Sequence, residues 1–258
     1  MEHESRISKW ALTIVLLALS FFSLARAEVV ILDSQKYSAE YSAISASGFR
    51  NVFDSLGRGI DPDLVFVFKE CGVINAYYSA YNKSITICYE FLADISSFLQ
   101  ERQRRSGIYD SPKIQATLFS AILLDMVLHE VGHAVIDLRK VPVIGGEEDA
   151  ADRIATVFLL DSINSDPADG QLMFESILAF KWAGKFGLMD RWILGERLYA
   201  DEHPLNEQRI FNVLCLAYGS NQMLFSGLVQ QYKLPPSRAV RCENEYQAAK
   251  SAIHQLLR

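Results

Sequence analysis

The hydrophobic pattern of the chain is dominated by one apolar run, Leu118–Ile136. In its first half apolar side chains recur on nearly every side of a helix, which is typical of a helix through the centre of a molecule. Ser111 and Pro112 form a start signal, an N-cap followed by proline at the first helical position. A residue that precedes proline disfavours the helical conformation, so Pro142 predicts that the helix ends before it. We therefore predict a central helix from Pro112 to about Leu138, about 40 Å long.

Shorter patterns lie on both sides of this helix. Upstream, β-branched and aromatic runs predict strands at Leu64–Phe68 and Ser84–Tyr89, with a short apolar run at Val29–Leu32. The run Cys71–Tyr78 and the polar turn after it indicate an antiparallel hairpin with Ser84–Tyr89. The predicted helices are 44–56, 91–103, 147–163, 171–185, 191–199, 208–218, 222–231 and 243–257. The expected class is α+β in a single domain, with an α/β part at about 28–144 and a helical part at about 145–258.

The first 27 residues have the pattern of a secretory signal. Arg6 and Lys9 precede the apolar run Trp10–Leu24, and the small-residue segment Ala25–Ala27 places cleavage before Glu28. The run is short for a membrane span, although two acidic residues near the start leave an uncleaved anchor as the alternative. We therefore expect a periplasmic or secreted protein with no permanent membrane span after cleavage.

The charge of the chain bears on its expected partners, and its cysteine content bears on its disulfides. The chain has 25 basic and 31 acidic residues, a net charge of −6, and no extended basic run, so nucleic acid is not an expected partner. Four cysteines in an exported chain predict two disulfides. More than one pairing is open. We favour Cys71–Cys88 and Cys215–Cys242, because each pair brackets a plausible hairpin or loop.

The central helix carries the residues with the clearest chemical meaning. His129 and His133 are four positions apart, so both lie on one face of the helix and can reach one metal ion. Glu130 points roughly 100° further round the axis, close enough to touch a metal-bound water. A divalent metal would compensate the cost of burying these groups. Gly132 costs roughly 1 kcal/mol relative to alanine inside a helix, which indicates that another segment packs closely there.

A catalytic zinc site needs a third protein ligand and leaves one position for water. The downstream candidates are the acidic residues Glu147–Asp149 and Asp152. We favour Glu148 as ligand, with Asp152 accepting a hydrogen bond from the far nitrogen of a ligand histidine, because they share a helix face. An acidic helix start favoured by the helix dipole is the alternative interpretation. Asp137 competes as the ligand, and it and Asp125 are otherwise supporting or buried structural carboxylates.

With these motifs the chain resembles the gluzincins, zinc metallopeptidases whose third ligand is a glutamate on a later helix. The resemblance rests on His129–His133 followed by Glu148–Asp152. Heat-shock-type membrane peptidases share the second motif and a later His-Pro segment similar to His203–Arg209, but the present chain lacks their multiple membrane spans. Asn75–Tyr78 is similar to the substrate-binding edge strand of thermolysin-like enzymes. Most of the mature chain resembles a family of exported bacterial proteins described only as metallopeptidases.

This resemblance implies a zincin-like fold, in which a small sheet packs its edge strand on the long central helix. It also implies a zinc ion held by the two histidines and Glu148, with Glu130 as the general base. His203 would donate a hydrogen bond to the oxyanion, or is a surface histidine. Arg209 would orient its loop or pair with an acidic residue. The expected substrate-binding residues are Asn75, Ala76 and Tyr77.

The function predicted from these features is an exported zinc metallopeptidase, a hydrolase that acts on peptide or protein substrates. One alternative is a non-catalytic binding or assembly protein that keeps zinc for stability. Glu130 argues against that alternative, because a structural zinc site has no use for a base and normally has four protein ligands. A second alternative is a zinc amide hydrolase that acts on cell-wall peptides.

Overall fold

The first part of the chain forms a four-stranded mixed sheet with the spatial order β1-β2-β4-β3. The strands are β1 (Glu28–Ile31), β2 (Val65–Lys69), β3 (Ala76–Ser79) and β4 (Ser84–Cys88). The first two run parallel to β4, whereas β3 pairs with β4 in the predicted antiparallel hairpin. The computed structural model describes residues 28–46, 48–165, 169–183 and 206–256. The predicted signal segment, the predicted helix 191–199 and His203 lie outside these ranges.

Two helices cross over between β1 and β2, as parallel neighbours require. They are α1 (Ser38–Ala46) and α2 (Phe49–Ile60). The prediction of one helix over 44–56 is therefore wrong, because α1 ends within that range and α2 begins after the N-cap residue Gly48. Serine and glycine are weak helix formers, which accounts for a break in this small, polar stretch.

The loop between β2 and β3 departs from the predicted strand. The strand β3 begins only at Ala76, because the backbone N–H groups of Cys71 and Gly72 donate to the carboxylate of Glu90, the latter at 2.7 Å. Gly72 has a φ of 78°, a backbone conformation that glycine adopts without strain. Glu90 lies in the first turn of α3 (Tyr89–Ser106), which begins immediately after β4. The loop is thus held against a helix instead of a strand.

The central helix α4 (Pro112–Leu138) has the predicted bounds. The side chain of Ser111 caps it by accepting a hydrogen bond from the backbone N–H of Ile114 at 3.3 Å. Among the described residues α4 is the one helix long and apolar enough to cross a membrane, but 72% of its apolar window is buried inside the molecule. It contacts β3, β4 and α3, so it forms the core on which the sheet edge packs.

The remainder of the described chain is helical and packs on α4 and on itself. Its helices are α5 (Glu147–Ser165), α6 (Gly170–Ala183), α7 (Asn206–Ser220), α8 (Gln222–Gln231), the short, unpredicted α9 (Pro236–Ala239) and α10 (Cys242–Leu256). The helices α4 and α5 approach closely at Gly132, where a Cβ atom would lie 2.7 Å from the Cα of Ala151. The close packing predicted at this glycine is confirmed.

Two disulfides tie these parts together, with the predicted pairing. Cys71–Cys88 joins the loop after β2 to the end of β4, and Cys215–Cys242 joins α7 to the start of α10. Two structural disulfides indicate an oxidising, extracellular environment. The fold is α+β, as predicted.

Candidate metal centre

Three side chains from two helices meet at the contact between α4 and α5. His129 and His133 project from one face of α4, and Glu148 projects from the first turn of α5. The Nε2 atoms of the two histidines are 3.2 Å apart. The Glu148 carboxylate lies 3.1 Å from Nε2 of His129 and 3.2 Å from Nε2 of His133. The three groups could hold a single metal ion.

The spacing of these atoms fits a tetrahedral ion. Ligand atoms about 2.1 Å from a zinc ion at tetrahedral angles lie about 3.4 Å from one another. The observed separations are close to that value, at 3.1 Å between His129 and Glu148 and 3.2 Å for each of the other two pairs.

The second nitrogen of each imidazole has a carboxylate partner. Nδ1 of His129 lies 2.9 Å from Asp152, and Nδ1 of His133 lies 2.8 Å from Glu147. The tautomer with hydrogen on Nδ1 satisfies both carboxylates and leaves two Nε2 lone pairs directed at each other and at Glu148. Lone pairs and a carboxylate that converge in this way repel one another unless a cation or protons lie between them. The donor set therefore fits a divalent metal.

The pKa values of these groups also indicate that the site favours a positive charge. Burial by itself lowers the pKa of His133, but hydrogen bonds to Glu148 and Glu147 outweigh it and raise this pKa to about 9. The pKa of His129 is raised in the same way by Asp152 and Glu148 against burial. Burial raises the pKa of the Glu148 carboxyl. The hydrogen bonds and charges of the two histidines outweigh burial and hold this pKa far below its usual range.

A buried arginine anchors the partner of His129. Arg209, in the first turn of α7, donates from Nε to Oδ2 of Asp152 at 2.6 Å and from a terminal nitrogen to Oδ1 at 2.9 Å. The two parallel bonds fix the plane of the carboxylate, which in turn orients the imidazole. Burial raises the pKa of the Asp152 carboxyl, but Arg209 and His129 outweigh burial and keep it ionised.

The edge strand is attached to α4 beside the histidines. The backbone N–H of Tyr78 donates to Oε2 of Glu130 at 2.7 Å, and the hydroxyl of Tyr78 donates to Oδ2 of Asp137 at 2.8 Å. Burial raises the pKa of the Glu130 carboxyl, while the charges of the two histidines and the Tyr78 N–H oppose the rise. Glu130 is therefore a buried carboxyl with one oxygen held and with an increased proton affinity.

The outer edge of β3 faces a cleft. The carbonyl of Asn75 accepts from the N–H of Cys88 on β4, whereas the N–H of Tyr78 faces Glu130. Because antiparallel strands alternate inward and outward backbone groups, Ala76 also turns its N–H and C=O away from β4. The cleft has a volume of about 640 Å³ and is lined by Asn75, Ala76, Tyr77, Tyr78, both histidines, Glu130 and Glu148 among others. It can take an extended chain alongside the metal ligands.

A family model described as "Putative metallopeptidase" matches residues 34–257 of the chain. The chain belongs to this metallopeptidase family. No curated protein and no solved structure matches the chain significantly. A group of side chains that could hold a metal ion, at the centre of the matched residues, agrees with that description.

The other residues singled out in the sequence have different surroundings. Asp137 accepts from Tyr78 and pairs with Lys140, so it supports the edge strand on the wall of the cleft and not a histidine. Asp137 lies on α4 one turn after His133, beyond the part of the helix at which the histidines face α5. Asp125 forms a buried ion pair of 2.8 Å with Lys181. The predicted oxyanion donor, His203, lies outside the described residues.

Sequence reasoning did not identify two functional contacts. The sequence indicates Glu147 only as a ligand candidate or a helix-start charge, yet in the structure it is the partner of His133. Its place next to Glu148, just after a glycine pair, is the one signal that points to it. The contact of Tyr78 with Glu130 joins residues 52 positions apart, and no local pattern marks it.

Proposed function

We propose that this protein is an exported zinc-dependent peptidase that hydrolyses peptide bonds in the cleft between β3 and α4. The observation that carries the proposal is the convergence of His129, His133 and Glu148 at 3.1–3.2 Å, with Glu130 beside them and an open strand edge opposite. Two imidazoles and one carboxylate are the donor set of a catalytic zinc site with one open position. We propose that this sheet edge, beside a long helix with these ligands, corresponds to the zincin-like arrangement that the sequence resemblance implies.

Zinc would lower the pKa of a bound water toward neutrality and polarise the substrate carbonyl. The chain itself supplies the proton transfers. Glu130 accepts the proton of the attacking water and passes it to the leaving amine. The N–H of Tyr78 holds Oε2 of Glu130, so the second oxygen is the one directed to the proton. The raised pKa of Glu130 increases its affinity for the proton that it must take from the water and then release.

The substrate would lie extended along β3 as an additional strand. The outward N–H and C=O of Ala76 would pair with its main chain, which binds peptides with little regard to their side chains. This pairing would set the scissile carbonyl beside the metal ligands. Asp152 and Glu147 would keep the two imidazoles in their ligating tautomer. His203 is proposed as the donor that stabilises the oxyanion.

Export is supported by two independent features. Residues 1–27 have the pattern of a secretory signal, and both disulfides require an oxidising compartment. We infer a periplasmic or secreted enzyme that acts on peptides or proteins it meets there.

The test uses the mature chain from residue 28, purified from an oxidising compartment. We expect about one zinc ion per chain by elemental analysis and cleavage of a peptide panel that includes cell-wall peptides. Glu130→Gln should retain the zinc and lose cleavage, because the amide keeps the shape of the side chain without its basicity. Glu148→Ala should lose both. Cleavage undiminished in Glu130→Gln would contradict the mechanism, and a zinc-loaded wild-type chain that cleaves nothing would instead indicate a non-catalytic zinc protein.

A further inference from the structure

A second cavity adjoins the metal cleft and has no part in the chemistry described above. Its volume is about 370 Å³, and Asn75 and Ala76 at the beginning of β3 line both spaces. The opposite wall comes from α3, α4 and α6. A peptide bound along β3 would therefore pass the mouth of this cavity as it leaves the metal ligands.

Aromatic rings form the walls of the cavity. Phe180 meets Phe91 and Phe98 edge to face, with ring centroids 5.9 and 5.2 Å apart. Met126 completes the lining from α4. Packed rings and a thioether offer flat apolar surfaces for a hydrocarbon stem and negative ring faces for a cation.

One charged side chain lies among these apolar groups. Asp94, on α3 one turn before Phe98, is the one charged residue among the described residues that line the cavity. Within the described ranges it has no hydrogen-bond or ion-pair partner, and burial raises its pKa. Neighbouring acidic residues are satisfied, since Glu90 accepts backbone N–H groups and Asp125 pairs with Lys181. A half-buried carboxylate without a partner is costly, and a cation that enters the cavity would remove that cost.

The distance between the second cavity and the metal cleft can be expressed as a number of residues of an extended peptide substrate. Met126 lies four residues before Glu130, about 6 Å along the axis of α4. An extended peptide advances about 3.3 Å per residue. The cavity is therefore one or two residues away from the bond that would be cleaved.

We propose that this cavity binds a lysine or arginine side chain of the substrate, one or two residues from the scissile bond. The methylene stem lies against the wall formed by the rings of Phe98 and Phe180, and the cationic end pairs with the carboxylate of Asp94. The inference deepens the proposed function and rests on it. The net charge of −6 favours the approach of basic peptides.

The test compares peptides that contain lysine with peptides that contain norleucine, which has the same stem without the ammonium group. Each of the three positions on either side of the cleaved bond is varied, because the direction of the peptide along β3 decides the side. At one position we expect the zinc-loaded wild-type enzyme to have a kcat/KM about tenfold higher for lysine, the size of one charge-assisted hydrogen bond. In Asp94→Asn the ratio should fall to about one.

Glu101→Gln is the matched control, since it removes one charge from the same helix. Glu101 is partly exposed, pairs with Arg104 and Arg105, and does not line the cavity, so this variant should keep the lysine preference. Equal rates for lysine and norleucine in the wild type, or a preference that survives Asp94→Asn, would overturn the proposal.

A binding measurement separates the failure of this inference from the failure of the proposed function. Calorimetry on the Glu130→Gln protein should show tighter binding of the lysine peptide than of the norleucine peptide, and Asp94→Asn in that background should remove the difference. Binding preference without cleavage by the wild type would contradict the peptidase and support the cavity. Cleavage without any basic preference would support the peptidase and contradict the cavity.

Discussion

The backbone N–H of Tyr78 lies 2.7 Å from Oε2 of Glu130. This contact joins the edge strand of the sheet directly to the carboxylate proposed as the general base. The hydroxyl of the same residue donates to Asp137 at 2.8 Å, two helical turns further along α4. One residue of β3 therefore sets both the distance and the register of the strand on the helix.

We expect Tyr78→Phe to weaken this attachment without removing the contact to Glu130. Loss of the hydroxyl should lower the free energy of unfolding by about 1 kcal/mol, the net value of one hydrogen bond. Because the substrate pairs with β3, KM should rise more than kcat falls. Steady-state kinetics and urea unfolding measure both effects. Tyr81→Phe is the control, since its ring is exposed in the turn after β3 and does not line the cleft, and an unchanged KM in Tyr78→Phe would argue against this role for the strand register.

Asp152→Asn should damage both stability and the metal site. It leaves Arg209 buried beside a neutral group, and removal of one partner from a buried ion pair costs about 3–5 kcal/mol. Loss of the carboxylate behind His129 should lower zinc affinity roughly 10–100-fold. Competition with a fluorescent chelator measures the affinity. Asp149→Asn, on the same helix and bonded to Asn212, should change zinc affinity little, and equal losses in the two variants would contradict a specific role for Asp152.

Gly132→Ala tests the contact between the two helices that carry the ligands. Alanine favours a helix over glycine by about 1 kcal/mol. Here, however, its Cβ would lie 2.7 Å from a backbone atom of Ala151, and backbone cannot move aside cheaply. Overpacking of about 1–3 kcal/mol should outweigh the gain, and the displaced α5 should carry Glu148 away from the histidines.

Thermal unfolding and zinc titration measure these effects of Gly132→Ala. Gly146→Ala is the matched control, because nothing lies within 4 Å of the added Cβ there. A Gly132→Ala protein with increased stability and full zinc affinity would show that the helices do not need this close approach.

Removal of the metal should destabilise the protein in a manner that depends on pH. Zinc at a hundred times its dissociation constant adds about 2.7 kcal/mol to the free energy of unfolding. Without metal, a proton on His133 takes over part of this role. Its pKa is raised from 6.5 to about 9 by Glu148 and Glu147 against burial, so the stabilisation is complete below pH 6.5 and is lost as the pH rises through about 9.

Differential scanning calorimetry with and without a chelator measures this dependence. The metal-free protein should lose thermal stability between pH 6.5 and 9 relative to the zinc-loaded protein. The stabilisation by zinc should therefore grow over that range, because metal and proton compete for the same nitrogen. A zinc effect that shrinks as the pH rises would contradict the assignment of His133.

Asp94→Asn should make the protein more stable at neutral pH. Burial raises the pKa of this carboxyl above its ordinary 3.8, so the folded state favours the protonated form. That contribution is present below pH 3.8 and is lost as the pH rises through the pKa of the folded state. The variant should therefore melt higher than the wild type at pH 7, and the difference should vanish near pH 3.

Glu101→Gln should behave in the opposite way. The carboxylate of Glu101 accepts from Arg104 and Arg105, which hold its pKa at about 2, so its ionised form favours folding and the amide should lower the melting temperature at pH 7. Melting curves of both variants at the two pH values provide the comparison. A decrease in stability for Asp94→Asn at pH 7 would show that Asp94 has a structural partner.

The sequence by itself determined the features that depend on neighbouring residues. The spacing of His129 and His133 fixes them on one helix face, and the caps around α4 fix its ends, since both follow from the geometry of a single helix. The disulfide pairs are close along the chain, 17 and 27 residues apart, so local pairing was a sound prediction.

Tertiary structure alone decided the contacts between remote elements. Arg209 meets Asp152 across 57 positions, and Tyr78 meets Glu130 across 52. The cavity around Asp94 needs side chains from three helices and a strand edge. Periodicity shows which face of an element is apolar, but not which other element covers it or at what distance. Close packing of distant segments sets those distances, and they determine which carboxylate orients a histidine and which has no partner among the described residues.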